Sequence, residues 1–560
     1  MEMTGGEVLV AQLVREGVTD VFGIPGVQLD WATDALRRGQ DKIRYYVPRH
    51  EQTTAYMADG YARTTGKVGV CMVVPGPGVL NASAGLATAY ACNSRVLCIA
   101  GQIRAHGIGH TYGFLHEIPD QSGVLAGLTK WSAQAKSVEE IPALVRAAMR
   151  ELASGWPRPV AIEIPPEVLA ARADVTPIDP PTSDDGRTRP DAHAVETAAA
   201  LLDGARFPVI YVGGGVLAAN AAPELRALAE KLDAPVVASE NGRGGLSDRH
   251  PLSLNAVGGR AVFSHADVAL IVGSRFMNMS TGNVLLPASA SDRIKYIYLN
   301  VDESAWSAPR PSGATIHADA KLGLAALTDA VRRRPAKRAA DVARVRAWVA
   351  EQTARIAPQM AWVHALRDGI PENGILVSEL TQVGYVAGVH YPVYEPQTYI
   401  GHGYQGTLGY GFPTSLGVAV GNPDRTVVSI TGDGGFGWAM QELSTAARYR
   451  LNVAIVVFND GAFGNVRTLQ QQQFGAAFAD EVYNPKFDTL AEAFDVRYAR
   501  VDGAESLPSV LKRAFADGGP TLIEAPVGPM PNPWSLIRLS PPPAGFSAPP
   551  NPLGDRSPPA

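Results

Sequence analysis

Two oxygen-bearing side chains stand at the ends of two successive apolar runs in the last third of the chain. Asp433 follows VVSITG and precedes two glycines, and Asn459 ends the next run, VAIVVFN. Carboxylate and amide oxygens suit Mg²⁺, which also binds phosphate oxygens and water. Glycines let backbone amides approach a phosphate where a helix begins, here near Gly437. The pair predicts a metal clamp on a diphosphate, although Gly-Asp-Gly is also typical of a tight turn and Asn459 of a helix cap.

Apolar strand-like runs alternate with helical patterns along the chain, which is typical of parallel sheets covered on both faces. A first series has runs at VFG, IRYYV, VGVCMVV, RVLCIAG and PVAIEIP. A second has PVIYVGG, DVALIVG and KYIYLNV, and a third extends from near Met360 to IEAPV. The predicted fold is therefore α/β, with three doubly wound parallel-sheet domains.

Composition indicates where these domains end. The stretch TPIDPPTSDDGRTRPD, residues 176–191, is rich in Pro, Asp and Thr without periodicity and predicts a linker. The proline-rich end of the chain cannot form a core, although it can lie across another surface. We expect an N-terminal domain, a central domain, a third domain and a tail, at 1–178, 190–335, 355–528 and 529–560.

The first and third series share one order of elements. Residues 73–102 and 429–460 both contain a strand, a Gly-x-Gly loop, a helix and a second strand. This similarity predicts two copies of one fold. Pro77 stands where the later copy has Asp433, so the first copy lacks that metal ligand.

The overall composition limits the kinds of partner. Hydrophobic residues make up 46% and charged residues 18%, with a formal net charge of −5, so neither a nucleic-acid surface nor a polybasic membrane surface is expected. Small molecules are the expected partners. The three cysteines lack metal-type spacing and predict reduced thiols in a cytoplasmic protein. Apolar runs are too short for membrane insertion, and the N-terminal residues do not resemble an export sequence.

Several motifs together resemble the thiamine-diphosphate enzymes. Gly-Asp-Gly followed after about 25 residues by Asn is similar to that family's cofactor motif. GYQGTLGYGFPTSLG, residues 403–417, resembles the preceding loop in the acetohydroxyacid (acetolactate) synthase branch. PRHEQTTAYMADGYARTTGKVG, PGPGVLN, GSRF and HADAKLGL occur in the family order, so the resemblance covers most of the chain. It implies thiamine diphosphate and Mg²⁺ as cofactors.

The resemblance implies a role for individual residues of the third series. Asp433, Asn459 and the Gly461 carbonyl would hold Mg²⁺. The Gly406 carbonyl would contact the pyrimidine amino group, and Leu408 would lie under the cofactor and bend its two rings into a V. The diphosphate would be surrounded by a second group: Leu380, Thr381, Gln382, Gly434 and Gly435.

Glu51, in the segment RHEQ, would be the catalytic carboxylate. A carboxylate at a helix start is often only a favourable partner of the helix dipole. In the family, however, this carboxyl exchanges a proton with the pyrimidine ring. It acts on a cofactor held by a neighbouring chain, which implies a homodimer or homotetramer.

The substrate region departs from the acetohydroxyacid synthase pattern. His116 stands near the family's Phe-Gln-Glu, where it would either shuttle protons or pack as a loop residue. Gln405 and His402 replace apolar or small residues, and Leu469 replaces a Trp that selects larger acceptors. We therefore take Gln405 and His116, with Glu51, as catalytic candidates.

These departures leave three activities open. The first is carbon–carbon cleavage or ligation on a small 2-oxo acid or diketone. The second is a flavin-linked 2-oxo acid oxidase, but Met277 and Asn278 replace the family's acidic pattern after Arg275, so FAD is expected to be absent. The third is a catalytically silent cofactor-binding subunit, against which the intact Glu51 and Asp433 argue.

Overall fold

The computed structural model describes residues 2–180, 186–276, 293–306, 311–537 and 550–554. These residues form three six-stranded sheets in which every neighbouring pair of strands is parallel. Helices connect the strands and cover both faces of each sheet. They bury the apolar side chains that the strands present on both sides. The prediction of three doubly wound α/β units is confirmed. Among the described helices, none combines the length and apolar composition needed to cross a bilayer.

The first sheet has the strand order β3-β2-β4-β5-β7-β6, and β1 pairs with β8 in a separate antiparallel ribbon. The strands are β1 (Glu2–Thr4), β2 (Asp20–Gly23), β3 (Arg44–Tyr46), β4 (Gly69–Val73), β5 (Val96–Gly101), β6 (Trp131–Gln134), β7 (Val160–Ile164) and β8 (Arg172–Asp174). The helices are α1 (Gly5–Arg15), α2 (Asp30–Arg38), α3 (Glu51–Thr65), α4 (Pro77–Cys92), α5 (Gln121–Leu128), α6 (Ile141–Ala153) and α7 (Pro166–Ala170).

The central sheet has the order β11-β10-β9-β12-β13-β14, the arrangement found in dinucleotide-binding folds. Its strands are β9 (Pro208–Val212), β10 (Val236–Ala238), β11 (Ser253–Leu254), β12 (Val268–Val272), β13 (Lys295–Asn300) and β14 (Ser312–His317). Its helices are α8 (Ala192–Gly204), α9 (Gly214–Ala218), α10 (Ala222–Leu232), α11 (Ala256–Phe263), α12 (Ala320–Ala330) and α13 (Arg338–Thr353).

The third sheet has the order β16-β15-β17-β18-β20-β19. Its strands are β15 (Ile375–Ser378), β16 (Tyr399–Ile400), β17 (Val427–Gly432), β18 (Val453–Asn459), β19 (Arg497–Arg500) and β20 (Thr521–Pro526). Its helices are α14 (Gln359–Gly369), α15 (Gln382–His390), α16 (Gly411–Gly421), α17 (Asp433–Gly437), α18 (Leu443–Arg448), α19 (Gly464–Phe474), α20 (Phe487–Ala493) and α21 (Leu507–Asp517), followed by α22 (Trp534–Ile537). The strand order matches that of the first sheet, as expected for two copies of one fold.

Helices α3 and α16 pack closely between the first and third sheets. A Cβ on Gly60 of α3 would lie 2.4 Å from the Thr414 carbonyl oxygen, and a Cβ on Gly417 of α16 would lie 1.9 Å from the Met57 carbonyl oxygen. Glycine at both positions lets the two backbones touch. Apolar side chains of the two sheets consequently share one buried cluster.

The segment expected to be a linker is irregular where it is described. The backbone of Ile178 exchanges two hydrogen bonds with the Gln12 side chain, at 2.7 and 2.9 Å. Arg187 pairs with Asp319 of the central unit at 3.0 Å. The segment is therefore fastened to both of its neighbours.

The described parts of the proline-rich tail lie on other surfaces of the chain. The Trp534 indole donates to Asn465 Oδ1 at 2.9 Å. Asn551 Nδ2 donates to Ser264 Oγ at 2.6 Å. These contacts attach the tail to the third and central units, and the rest of the tail lies outside the described residues.

Candidate active site

The candidate cofactor residues follow three strands of the third sheet. Strands β15, β17 and β18 end at Ser378, Gly432 and Asn459. Because parallel strands end at the same edge, the loops that follow them meet there. Strands β15 and β17 are neighbours although β16 lies between them in sequence, and such a switch point is where open α/β sheets bind ligands.

Helix α17 begins at Asp433 itself, earlier than the expected start near Gly437. Two glycines allow this tight turn. A Cβ on Gly434 would lie 2.7 Å from an aromatic ring, and a Cβ on Gly435 would lie 2.0 Å from Glu379 Oε1. The absence of side chains here lets the backbone run close to its neighbours and brings the buried Asp433 to the edge of the sheet.

Asp433 Oδ2 and Asn459 Oδ1 converge on one point. The amide nitrogen of Asn484 donates to both oxygens, at 2.6 and 3.2 Å, and the Gly461 N–H donates to Asp433 Oδ2 at 3.0 Å. Two oxygens that share one donor lie close enough to share one cation. A carboxylate and an amide oxygen form a hard donor set, which fits Mg²⁺.

The orientation of the Asn459 amide is fixed from behind. Asn459 Nδ2 donates to Glu524 Oε1 at 2.9 Å, and Tyr498 donates its hydroxyl to the other Glu524 oxygen at 2.6 Å. Since the nitrogen is used in this way, Oδ1 must face Asp433. Outer partners that orient a ligand in this manner are typical of metal sites.

The two residues after Asn459 complete this group. Burial, and then the charge of Asp433, raise the pKa of Asp460 to about 6. Gly461 has a φ of +66°, in the left-handed region. Its carbonyl accepts from Val482 N at 2.9 Å, and a carbonyl has a second lone pair for another partner.

The remaining cofactor candidates lie in the loops after β15 and β16, at the edge where open α/β sheets form a ligand crevice. Thr381 caps α15, and Gln382 Oε1 is buried with no hydrogen-bond partner among the described residues. Gly406 has a φ of +63°, and a methyl carbon of Leu380 lies 3.6 Å from where its Cβ would be. Leu408 is half-buried in the same loop. An unpaired buried acceptor beside a glycine-bearing loop fits a polar ligand at this edge.

The buried side chain of Glu379 fixes the loop that carries Gly406 and Leu408. Its two oxygens accept the backbone N–H groups of Gly409 and Gly411, at 2.7 and 2.8 Å. Burial outweighs these bonds and raises the pKa of Glu379 to about 7. The path of the loop past β15 therefore depends on this carboxyl.

We expect Glu379 to make stability depend on pH. Its folded pKa of about 7 lies above the usual value of 4.5, so its contribution is fully present below pH 4.5 and is lost as the pH rises through 7. Between these values, the unfolding free energy should fall by up to about 1.4 kcal/mol per pH unit relative to Glu379→Gln. Denaturant unfolding from pH 5 to 8 measures this difference. Parallel curves for the two proteins would contradict the assignment.

Glu51 is the first residue of α3, at the carboxyl edge of the first sheet. Its Oε2 accepts from Asn81 Nδ2 at 3.0 Å, and His50 Nδ1 caps the helix by accepting from Gln52 N at 3.2 Å. Asn81 belongs to the PGPGVLN segment. Two motifs that are separate in sequence thus meet at this carboxylate.

His116 lies in a loop at the same edge, and its neighbours define its tautomer. Gln28 Nε2 donates to the Leu115 carbonyl at 3.1 Å, which leaves Gln28 Oε1 to face His116 Nδ1 at 3.2 Å. Nδ1 must carry the proton of that bond, so Nε2 is an acceptor when the ring is neutral. A Cβ on Gly76 would lie 2.2 Å from the His116 carbonyl oxygen, so the loop packs tightly against PGPG.

Within one chain, the site residues form two groups. Glu51 and His116 belong to the first sheet, whereas Gln405, exposed beside Gly406, belongs to the third. In the part of the chain that the structure describes, neither Glu51 nor His116 hydrogen-bonds to the candidate metal ligands. Exposed apolar side chains flank both groups along the chain: Val27, Tyr112, Leu115, Trp438, Leu469, Phe474, Phe478 and Tyr483.

Four polar residues of these groups were not found from the sequence. Glu379 directly precedes Leu380 at a strand end, so its position alone could have suggested it. Gln28, Asn484 and Glu524 come from segments without a motif. Their partners are between 25 and 88 positions away in sequence, so only the folded chain shows the contacts.

Three parallel-sheet α/β units, with glycine-bearing loops at a strand switch point, are typical of enzymes that bind a phosphate-bearing cofactor. Models of the thiamine pyrophosphate enzymes match all three units: the N-terminal TPP binding domain at 3–124, the central domain at 195–327 and the C-terminal TPP binding domain at 380–525. The chain belongs to this family. It is a thiamine-diphosphate-dependent enzyme of the decarboxylase and carboligase type.

Full-length relatives agree with this assignment. A probable 2-ketoarginine decarboxylase of Pseudomonas aeruginosa is 35% identical, covering 93% of this chain and 94% of the relative. The acetolactate synthase isozyme 3 large subunit of Escherichia coli is 31% identical, covering 92% and 93%. A probable acetolactate synthase large subunit of Methanococcus aeolicus is 30% identical, covering 96% and 94%.

Proposed function

We propose that this chain is a Mg²⁺-dependent enzyme that cleaves the carbon–carbon bond next to the carbonyl of a small 2-oxo acid or 1,2-diketone. It can pass the resulting acyl group to an acceptor aldehyde or ketone. The observation that carries the proposal is the convergence of Asp433 Oδ2 and Asn459 Oδ1 beside a glycine-bearing crevice. Relatives whose names specify acetolactate synthesis and 2-ketoarginine decarboxylation support this substrate class.

The third unit holds the cofactor in this proposal. Asp433, Asn459 and the Gly461 carbonyl bind Mg²⁺, and Glu524 keeps the Asn459 oxygen turned toward it. A second set lines the diphosphate and the rings: Leu380, Thr381, Gln382, Gly406, Leu408, Gly434 and Gly435. Thiamine diphosphate supplies a carbon nucleophile and an electron sink for the bond next to a carbonyl.

The first unit moves protons in this proposal. Glu51 exchanges a proton with the pyrimidine ring, and Asn81 orients the carboxyl through its Oε2. His116 accepts or donates a proton through Nε2, because Nδ1 is bonded to Gln28. Gln405 is exposed at the crevice and orients the substrate carbonyl by hydrogen bonding.

The complete site requires two chains in this proposal. Glu51 and His116 of one protomer face the crevice of its partner, in a homodimer or homotetramer. Large apolar residues are exposed in the segments of both groups, including Leu115 and Phe478, and such an interface would remove them from water. Residues from both partners then exclude water from the reacting carbonyl.

A donor panel tests the proposed reaction. Purified protein with thiamine diphosphate and Mg²⁺ is incubated with pyruvate, 2-ketoarginine and a 1,2-diketone, with and without an acceptor aldehyde. We expect at least one donor to give a plain aldehyde or acid, or an acetoin-type or acetolactate-type ligation product. If the cofactor is bound and exchanges its ring proton but no donor reacts, the small-donor proposal is wrong.

We expect the enzyme to be active without FAD. The Arg275 guanidinium lies 4.9 Å from the centre of the Tyr404 ring. Both residues line a cavity of about 390 Å³ beside the central sheet. The basis of the expectation, Met277 and Asn278, lies outside the described residues. Protein purified without added flavin should be colourless and active. A stoichiometric yellow cofactor would favour the oxidase alternative.

A further inference from the structure

A buried carboxylate of the third unit contacts the start of the helix that carries Glu51. Glu442 is 0% exposed and ends a short turn, Met440–Glu442, between α17 and α18. It is nine positions beyond Asp433 in the chain, so it belongs to the segment that leaves the metal and diphosphate crevice. The mechanism above does not use it.

Glu442 accepts hydrogen bonds from the start of α3. The Arg49 N–H donates to both carboxylate oxygens at 3.1 Å, and the Thr53 hydroxyl donates to Oε1 at 2.9 Å. Thr445 donates to Oε2 at 2.5 Å. Arg49 and Thr53 stand on either side of Glu51 in the sequence, and the Glu442 carboxylate supplies the acceptor oxygens for all three donors.

Two further contacts join the same two segments. The Tyr449 hydroxyl accepts from Val47 N at 2.8 Å, and Gln52 Nε2 donates to the Trp438 carbonyl at 3.1 Å. Residues 47–53, which we call the Glu51 turn, are therefore held by residues 438–449. The first sheet supplies Glu51, but the third unit fixes the turn on which it stands.

We propose that Glu442 is a positioning residue that sets the Glu51 carboxyl for proton exchange with the cofactor. The proposal rests on the proposed function, in which Glu51 exchanges that proton. Glu442 acts through the backbone of the Glu51 turn and does not touch the cofactor. A proton transfer tolerates little misplacement, since a shift of about 1 Å can cost on the order of 100-fold in rate.

Glu442→Gln tests the proposal. An amide keeps one acceptor oxygen but turns an NH₂ group toward the donors of the Glu51 turn. We expect thiamine diphosphate with Mg²⁺ to bind within about threefold of wild type by calorimetry, since the binding crevice is intact. Deuterium exchange of the cofactor's thiazolium C2 proton should slow by about 100-fold.

A double variant separates positioning from general damage. If Glu442 acts through Glu51, adding Glu442→Gln to Glu51→Gln should slow exchange by less than about twofold more. Asp233→Asn is the matched control, because Asp233 is also buried and accepts two helix-start amides, Lys337 N and Arg338 N, at 2.7 and 2.9 Å in the central unit. It should leave exchange unchanged.

Tyr449→Phe provides the test should Glu442→Gln not fold. It removes only the hydroxyl that accepts from Val47 N, and we expect it to slow exchange by about three- to tenfold with unchanged cofactor affinity. Wild-type exchange in either folded variant, additive effects in the double variant, or equal slowing in Asp233→Asn would overturn the proposal. Absence of cofactor binding or exchange in the wild type would instead overturn the proposed function.

Discussion

Asp433→Ala should abolish Mg²⁺-dependent binding of thiamine diphosphate. Asp433 is the only carboxylate among the proposed metal ligands, so its loss leaves the metal and the diphosphate poorly compensated in charge. The affinity should fall by more than the roughly 10- to 100-fold that loss of an outer partner costs. Calorimetric titration of thiamine diphosphate at fixed Mg²⁺ measures the effect.

Two further variants calibrate this result. Glu524→Gln changes the partner that orients Asn459 and leaves the proposed metal ligands in place, so its affinity should lie between those of wild type and Asp433→Ala. Asp502→Ala removes an exposed carboxylate of the same unit and should bind as wild type does. Unchanged affinity in Asp433→Ala would remove this residue from the cofactor site.

Glu51→Gln should retain the cofactor and lose its activation. The amide has nearly the same shape as the carboxyl but cannot exchange a proton with the ring nitrogen. Exchange of the thiazolium C2 proton should slow by about 10²- to 10⁴-fold, the range that a positioned acid or base contributes. Quenched-flow exchange in D₂O, analysed by NMR, measures this rate.

The controls for Glu51→Gln address binding and specificity. Cofactor affinity should stay near that of wild type, since the proposed metal and diphosphate ligands belong to the other group of site residues. Glu140→Gln changes an exposed carboxylate of the same unit and should leave the exchange rate unchanged. A wild-type rate in Glu51→Gln would exclude Glu51 from the mechanism.

The architecture could be predicted from the sequence because it depends on local patterns. Continuous apolar runs such as VGVCMVV and VAIVVFN indicated buried parallel strands, and both are strands in the structure. The short edge strands β11 and β16 were not identified, because two residues carry too little periodicity. Their pairing depends on the sheet beside them.

The candidate site could be predicted only where it coincides with motifs. Gly-Asp-Gly gave Asp433 and its neighbours, although α17 starts earlier than expected because the glycines permit a tighter turn. The position of Glu379 at a strand end could have suggested it, whereas the supporting carboxylates Glu442 and Glu524 could not be assigned. Each acts on partners far away in the sequence, and a buried carboxylate in an apolar run has no distinctive pattern.

The contact between α3 and α16 has the form of a twofold symmetric interface. Each helix follows the second strand of its sheet, and the strand orders of the two sheets are the same. Gly60 of α3 touches Thr414 of α16, which stands three positions before Gly417. Gly417 in turn touches Met57 of α3, which stands three positions before Gly60. Reciprocal contacts of this kind define an isologous pair. One polypeptide therefore contains a pseudo-dimer. Duplication and fusion of an ancestral self-associating domain would produce this arrangement. Each copy would then be free to specialise for one end of the same ligand.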